Sequence, residues 1–278
     1  MKALIPYYGG KQRIVHKLLQ RIPEHKTYCE PFAGAASLFW AKPQRECAAQ
    51  EEYRECLNDL WSELINFYRI VQNRDTFEGF LGILKHIPYS RALYNEYYPM
   101  DSDDPIMRAV ETYYIIQNSF GSMCSRGAWG FGIIGSNHPR EFVNNMQKLI
   151  GNKDEILARL SHVYLDDIDA IVCLQRWDSP QAFFYVDPPY FDTAQSYRHQ
   201  YTTETYAELC ERLSCIEGKF MLSSYSNALA DDYGWYKDKF LVSTTAVNGR
   251  DRIAKNSARI ECVYTNYQCD RQMTIEDI

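Results

Sequence analysis

Hydrophobic and polar positions follow two regimes along this chain. Near the N-terminus, 13–20 reads as a helix after a Gly-Gly turn, and Tyr28-Cys29-Glu30-Pro31-Phe32 reads as a short strand running into a loop. Ala33-Gly34-Ala35-Ala36-Ser37 turns the chain, and 38–41 begins a helix. Cys56-Leu57-Asn58-Asp59 ends a second strand, and 61–72 is helical, with Leu60, Leu64, Phe67, Tyr68 and Val71 at helical spacing. From 75 to 152 the rhythm changes: helical stretches at 76–86 and 104–118 precede an irregular segment, 120–139, rich in Gly, Ser and aromatic residues. A long loop of that kind inside a compact domain usually carries function.

The α/β alternation then resumes. Residues 162–165 read as a strand, and Ala182-Phe183-Phe184-Tyr185-Val186 is a continuous apolar run, as expected of a strand buried on both faces. A helix at 205–216 and strands at 219–223 and 260–266 complete the pattern. Strands alternating with helices predict an α/β fold with a mostly parallel sheet covered on both sides, and ligands in such sheets bind outside the carboxyl ends of the strands.

Composition narrows the function classes. No apolar run approaches the ~20 residues needed to cross a bilayer, and the N-terminus is too short an apolar patch for a signal peptide, so the expectation is a soluble, cytoplasmic protein. Nine cysteines are scattered singly with no CxxC pair, which argues against a disulfide framework or a structural zinc. No metal is expected. The formal net charge of −6 runs against a nucleic-acid partner, but binding needs only a local positive surface. The segment 249–259 supplies one, with Arg250, Arg252, Lys255 and Arg259 against Asp251, although a solvated loop would look the same.

The strongest chemical signal is Asp187-Pro188-Pro189-Tyr190, directly after the apolar strand. Consecutive prolines hold the chain extended and donate no backbone hydrogen bond. The Pro188 carbonyl and the Asp187 carboxylate are then two fixed acceptors, and Tyr190 offers a flat face. An exocyclic amine whose lone pair is delocalised into a purine ring needs such acceptors on its two hydrogens to become a nucleophile, and a nearby carboxylate stabilises the positive charge that develops. Pro-Pro turns also occur without any such role.

Three weaker signals accompany it. The small-residue loop Glu30-Pro31-Phe32-Ala33-Gly34 lets a cofactor approach the backbone, or simply packs. Asp59 at the end of the second strand can hold a ribose, or cap the following helix. Tyr7-Tyr8-Gly9-Gly10-Lys11 can bring an ammonium to a carboxylate, or be an ordinary turn.

Together these segments resemble the Dam-like, D12-class family of DNA N6-adenine methyltransferases. Tyr7 to Lys11 is similar to the family's N-terminal Gly-Gly-Lys motif, Glu30 to Ser37 to its Glu-Pro-Phe-x-Gly loop, Leu57-Asn58-Asp59 with Leu64-Ile65-Asn66 to its second motif, and Asp187 to Tyr190 to its tetrapeptide unchanged. Leu222 to Asn227, and Glu261 with Thr265-Asn266-Tyr267, resemble its C-terminal strands. The likeness covers the chain ends well and the middle poorly.

The resemblance implies a Rossmann-like S-adenosylmethionine-dependent methyltransferase sheet in residues 1–64 and 156–278, with a mostly helical target-recognition domain inserted at 65–155. It implies a catalytic turn of Asp187, Pro188, Pro189 and Tyr190. It implies a cofactor site of Tyr7, Lys11, Glu30, Phe32, Gly34, Asp59 and Asp187, with Lys11 on the methionine carboxylate and Asp59 on the ribose. An acid after the 163–165 strand would reach the cofactor adenine, and Asp169 is preferred over Asp167. Arg126, Trp129, Asn137, His138 and Arg140 are recognition candidates, and Arg250, Arg252 and Lys255 phosphate-contact candidates. Where the family's loop carries a second glycine this chain has Ala36, which a helix start accommodates when its φ is negative.

The implied reaction is a direct transfer of methyl from S-adenosylmethionine to a flipped adenine N6 in double-stranded DNA, by a monomer or weak dimer in a bacterial cell or phage-infected host. A cytosine-N4 methyltransferase, whose tetrapeptide usually resembles Ser-Pro-Pro-Tyr, an RNA or protein amide methyltransferase, and a catalytically silent DNA-binding module are the rival readings. A restriction–modification partner, a solitary enzyme and a phage-encoded one are all compatible with the sequence.

Overall fold

The computed structural model describes residues 1–7, 11, 14–43, 53–119, 128–130, 139–189, 201–243 and 258–269. Their strands are β1 (Thr27–Glu30), β2 (Arg54–Asn58), β3 (Val163–Asp166), β4 (Ala182–Val186), β5 (Lys219–Tyr225), β6 (Tyr236–Ser243) and β7 (Ala258–Thr265). They form one sheet in the order β3-β2-β1-β4-β5-β7-β6. The pairs β3/β2, β2/β1, β1/β4 and β4/β5 are parallel, whereas β7 runs antiparallel to both β5 and β6. This is the Rossmann-like α/β architecture expected. The chain leaves β1 towards β2 on one side and β4 towards β5 on the other, so the strand order reverses between β1 and β4. A crevice opens at their carboxyl ends.

The helices are α1 (Val15–Leu19), α2 (Ser37–Ala41), α3 (Ser62–Gln72), α4 (Arg74–Leu84), α5 (Arg91–Tyr97), α6 (Pro105–Asn118), α7 (Pro139–Gly151), α8 (Lys153–Leu160), α9 (Ala170–Trp177), α10 (Thr203–Ser214) and α11 (Ala228–Asp231). Several start where a side chain takes the orphan N–H groups of the first turn: Asn73 caps α4, Ser90 α5, Asp104 α6, Asp169 α9 and Asn227 α11, and Thr202 with Thr205 forms a reciprocal box on α10. Among the described residues no helix is long and apolar enough to cross a membrane.

The sheet separates two apolar layers. One, around Tyr28, Leu57 and Phe183, is continuous with α3, α4, α6 and α8 through Phe67, Phe80, Tyr113 and Leu160. The other, around Cys29, Cys56, Phe184 and Leu222, lies under α9 and α10. All five residues of β4 are buried, as its apolar run predicts. Leu60 departs from the expected helical stripe: it precedes α3 and is 50% exposed.

A charge network is buried at the amino ends of the strands. Arg159 of α8 donates from Nη2 to Glu55 Oε1 at 3.0 Å and to the Phe39 carbonyl at 3.2 Å, and its guanidinium lies over the Phe39 ring. Lys42 pairs with the same carboxylate at 2.7 Å. Burial works against the charged Glu55, but these two cations outweigh it and hold the carboxyl below its ordinary range. Breaking a buried pair by deleting one partner typically costs ~3–5 kcal/mol. Arg159→Met is therefore expected to lower the unfolding free energy by about 3 kcal/mol in denaturant titration. A loss of under ~1 kcal/mol would mean the pair behaves as a surface one.

Candidate active site

Four loops meet at the carboxyl ends of β1 to β4, and buried polar groups lock them together. Asn58, the last residue of β2, is fully buried. Its Nδ2 donates to the carbonyls of Pro31 and Ile168, each at 2.9 Å, and its Oδ1 accepts from the Ile168 N–H at 3.1 Å. One side chain thus joins the loops after β1, β2 and β3. Asp59 adds a second clasp, accepting from the Gly34 N–H at 2.9 Å on Oδ2 and from the Trp61 N–H at 3.0 Å on Oδ1. It thus ties the glycine loop to the turn that leads into α3, whose N-cap residue, Trp61, makes no side-chain cap bond of its own. Tyr68 of α3 donates to the Gly34 carbonyl at 2.9 Å.

Gly34 needs its missing side chain. Its φ is +48°, and a Cβ there would sit 3.0 Å from the Tyr7 ring. Ala36 also has positive φ, at +50°, so the condition under which a helix start accommodates an alanine is not met. The loop doubles back twice in three residues, and Ala36 N–H bonds to the Ala33 carbonyl at 2.6 Å. The left-handed conformation at a residue with a Cβ costs ~1–2 kcal/mol, and the closed loop carries that strain.

Across the switch point from this loop lies Asp187, the first residue after β4. Lys11 Nζ donates to its Oδ1 at 2.8 Å and stands 3.7 Å from Glu261 Oε2 on β7. Lys11 is 5% exposed. Burial disfavours its charge, but the carboxylates of Asp187 and Glu261 more than offset that and keep it protonated. Burial raises the Asp187 carboxyl above its usual range against the pull of Lys11. The arrangement is a half-sequestered carboxylate next to a fixed ammonium, facing a glycine loop.

The remaining expected cofactor residues divide by position. The Tyr7 ring covers Gly34 and lies 6.4 Å from Trp61. Phe32 packs edge-on against Tyr201. Glu30 turns beneath the loop, where its Oε1 accepts from Tyr28 OH at 2.6 Å and from the Phe39 N–H at 2.9 Å. Asp169 caps α9 through the Ile171 and Val172 N–H groups, and Asp167 is paired with Arg69. Among the recognition candidates, Arg140 is exposed in the first turn of α7, and Trp129 packs against Tyr89 and Tyr94. Tyr190, Arg126, Asn137, His138, Arg250, Arg252 and Lys255 lie outside the described residues. Sequence reasoning assigned no role to Asn58 or Glu261. A buried amide at a strand end was a usable signal for the first; the second depended on where β7 enters the sheet.

Comparison with known proteins agrees with this geometry. The family model for D12 class N6 adenine-specific DNA methyltransferases matches residues 7–252. The chain is similar to proteins named DNA adenine methylase from Salmonella typhimurium and Salmonella typhi, each 23% identical over 92% of this chain and 90% of the relative. A DNA adenine methylase from Vibrio cholerae is 25% identical over 44% of this chain and 43% of its own length.

Glu30 generates a pH prediction. Burial lifts its carboxyl from 4.5 to about 8, against the hydrogen bonds from Tyr28 and Phe39. A carboxyl whose folded value exceeds its unfolded one adds stability that is complete below the unfolded value and lost as pH rises through the folded one. Unfolding free energy should therefore fall between about pH 4.5 and about 8, and Glu30→Gln should flatten that slope. Parallel profiles for the two proteins in denaturant titrations across this window would refute the assignment.

Proposed function

The chain belongs to the D12 class of N6 adenine-specific DNA methyltransferases, and from that premise we propose how its residues divide the work. The reaction methylates the exocyclic N6 of adenine in DNA, which sets aside the cytosine-N4, RNA or protein amide, and silent-binder readings. We take the methyl donor to be S-adenosylmethionine, which when bound supplies a sulfonium-activated methyl carbon to an in-line attack. The donor set suits such a cation. Asp59 lies at the end of β2 and Asp187 and Glu261 flank the switch point, so the crevice is acidic where a sulfonium and an ammonium would sit.

In this reading Asp187 and the Pro188 carbonyl accept from the two N6 hydrogens, so that the nitrogen lone pair is freed for attack. Tyr190 stacks on the flipped base. Tyr7 and Gly34 wall the donor site, with Phe32 beside them; Asp59 holds the ribose, and Asp169 the donor's adenine. Glu30 acts from below as a brace for the loop. Residues 65–155 form the target-recognition region, with Arg140 in the first turn of α7 among its contacts. Arg126 and Asn137 join it there, while Arg250, Arg252 and Lys255 contact phosphates. The protein works on double-stranded DNA in the cytoplasm of a bacterial cell or phage-infected host, as a monomer or weak dimer.

The observation that carries the reading is the Lys11–Asp187 pair. Before substrate arrives, the carboxylate assigned to the amine is held by an ammonium at 2.8 Å. To accept from adenine, Asp187 must loosen that bond, and Glu261, 3.7 Å from the same Nζ, is in place to take the charge. Lys11 then turns to Glu261 and to the donor's carboxylate.

Two variants test this. Asp187→Ala should reduce N6-methyladenine formation, measured in nuclease-digested DNA, by at least about a hundredfold while the circular-dichroism spectrum is retained. Near-normal turnover in a folded D187A protein would defeat the mechanism. Glu261→Gln should lower kcat roughly tenfold, the equivalent of ~1.4 kcal/mol of added ion-pair strength to overcome, with DNA affinity little changed. An unaltered kcat would show that Lys11 needs no second anion.

A further inference from the structure

Nine scattered cysteines gave no metal motif in the sequence, yet the fold gathers three of them. Cys29 of β1 and Cys56 of β2 are register partners in the parallel sheet, so their side chains leave the same face side by side. Cys173, in the first turn of α9, closes over them. All three sulfurs lie within 4.8 Å of one another, Cys29 and Cys173 at 3.6 Å, and all three residues are fully buried. Free cysteines in cores usually serve as small hydrophobes. Three thiols converging on one point is a more specific arrangement.

We propose that Cys29, Cys56 and Cys173 form a binding site for a trivalent metalloid hydroxide, of the arsenous or antimonous acid class. Valence and charge select this ligand. The pocket lies in the apolar layer with Leu174, Phe184 and Val186, where an unpaired charge is costly. Three thiolates around a divalent cation would leave a net negative complex there. Zinc would also need a fourth donor, and among the described residues the cluster holds no further His, Cys, Asp or Glu. A trivalent centre with three thiols is neutral before and after binding. Each sulfur forms one bond to arsenic, each As–OH bond breaks, and each thiol proton leaves with its hydroxide as water. The sum is As(OH)3 plus three thiols giving As(SR)3 plus three waters, with no change of oxidation state.

The dimensions agree. Bonds about as long as a zinc–thiolate bond, roughly 2.3 Å, meeting at right angles put the sulfurs about 3.3 Å apart, close to the 3.6 Å between Cys29 and Cys173. The Cys56 sulfur lies within 4.8 Å of both, so binding needs it to move inward. Entry requires α9 to lift from the sheet, so uptake is slow and follows local opening.

The test uses the full-length, fully reduced protein, sodium arsenite as probe, and competing dithiols removed. After equilibration, native mass spectrometry should show one tightly held arsenic per chain, at a mass gain of one arsenic less three hydrogens. Arsenic X-ray absorption on the wild-type protein should show three sulfurs and no oxygen in the first shell, a result that depends on no variant folding. Cys173→Ala should weaken binding at least about tenfold, because one tethered donor is lost, and Cys215→Ala, at an exposed thiol, should leave it unchanged. No uptake, a shell of two sulfurs with oxygen, undiminished binding in C173A, or zinc displacing arsenite from these sulfurs would each overturn the proposal.

Discussion

The structure depends on one buried ion pair that spans the chain. Lys11 and Asp187 are 176 positions apart and meet at 2.8 Å at the point where the strand order reverses. Removing either partner leaves the other charge poorly compensated, at a cost of ~3–5 kcal/mol, which Glu261 at 3.7 Å lessens on the side of the ammonium. The N-terminal segment is therefore tied across the crevice, and the carboxylate nearest the switch point is compensated before any ligand arrives. In the proposed mechanism the same pairing governs the chemistry: the carboxylate becomes available as its ammonium turns to Glu261, which stands 3.7 Å away on β7.

The loops around this pair are rigid for a different reason. They contain backbone groups that would be orphaned at the sheet edge, and buried side chains satisfy them. Asn58 serves three strand ends, and Asp59 and Tyr68 hold the N–H and the carbonyl of Gly34. The strain at Ala36 persists because the surrounding bonds over-determine it. Side chains and backbone are here a single polar lattice, and moving one loop would break bonds in the next.

Much of this was legible in the chain. The apolar run of β4 located the central strand, the stripe of α3 was visible from spacing, and helices near α4 and α6 were expected at 76–86 and 104–118. The misses share a cause. In β6 the run Tyr236-Lys237-Asp238-Lys239-Phe240 carries three charges and lies beyond β7 at the sheet edge, so its pattern reads as solvated loop. Glu261 gains meaning only because β7 inserts between β5 and β6. The three cysteines are invisible as a cluster because β1/β2 register and the docking of α9, not sequence spacing, bring them together. The sign of φ at Ala36 was not legible because the loop around it imposes a positive value that alanine's own propensity opposes.

The distribution of charge bears on how an acidic protein acts on DNA. Asp59, Asp187 and Glu261 line the crevice, and a net charge of −6 makes the whole molecule repel a polyanion at long range. An acidic floor favours a cationic donor and disfavours phosphate. A duplex laid directly into the crevice would bring both strands' phosphates to that floor, at a cost that grows as water is excluded. A single nucleotide swung out of the stack brings a neutral base instead and leaves its phosphates at the rim. Under the proposed division of roles, the acid at the amine and the acid that receives Lys11 therefore coexist with a DNA substrate because the reacting base is delivered alone.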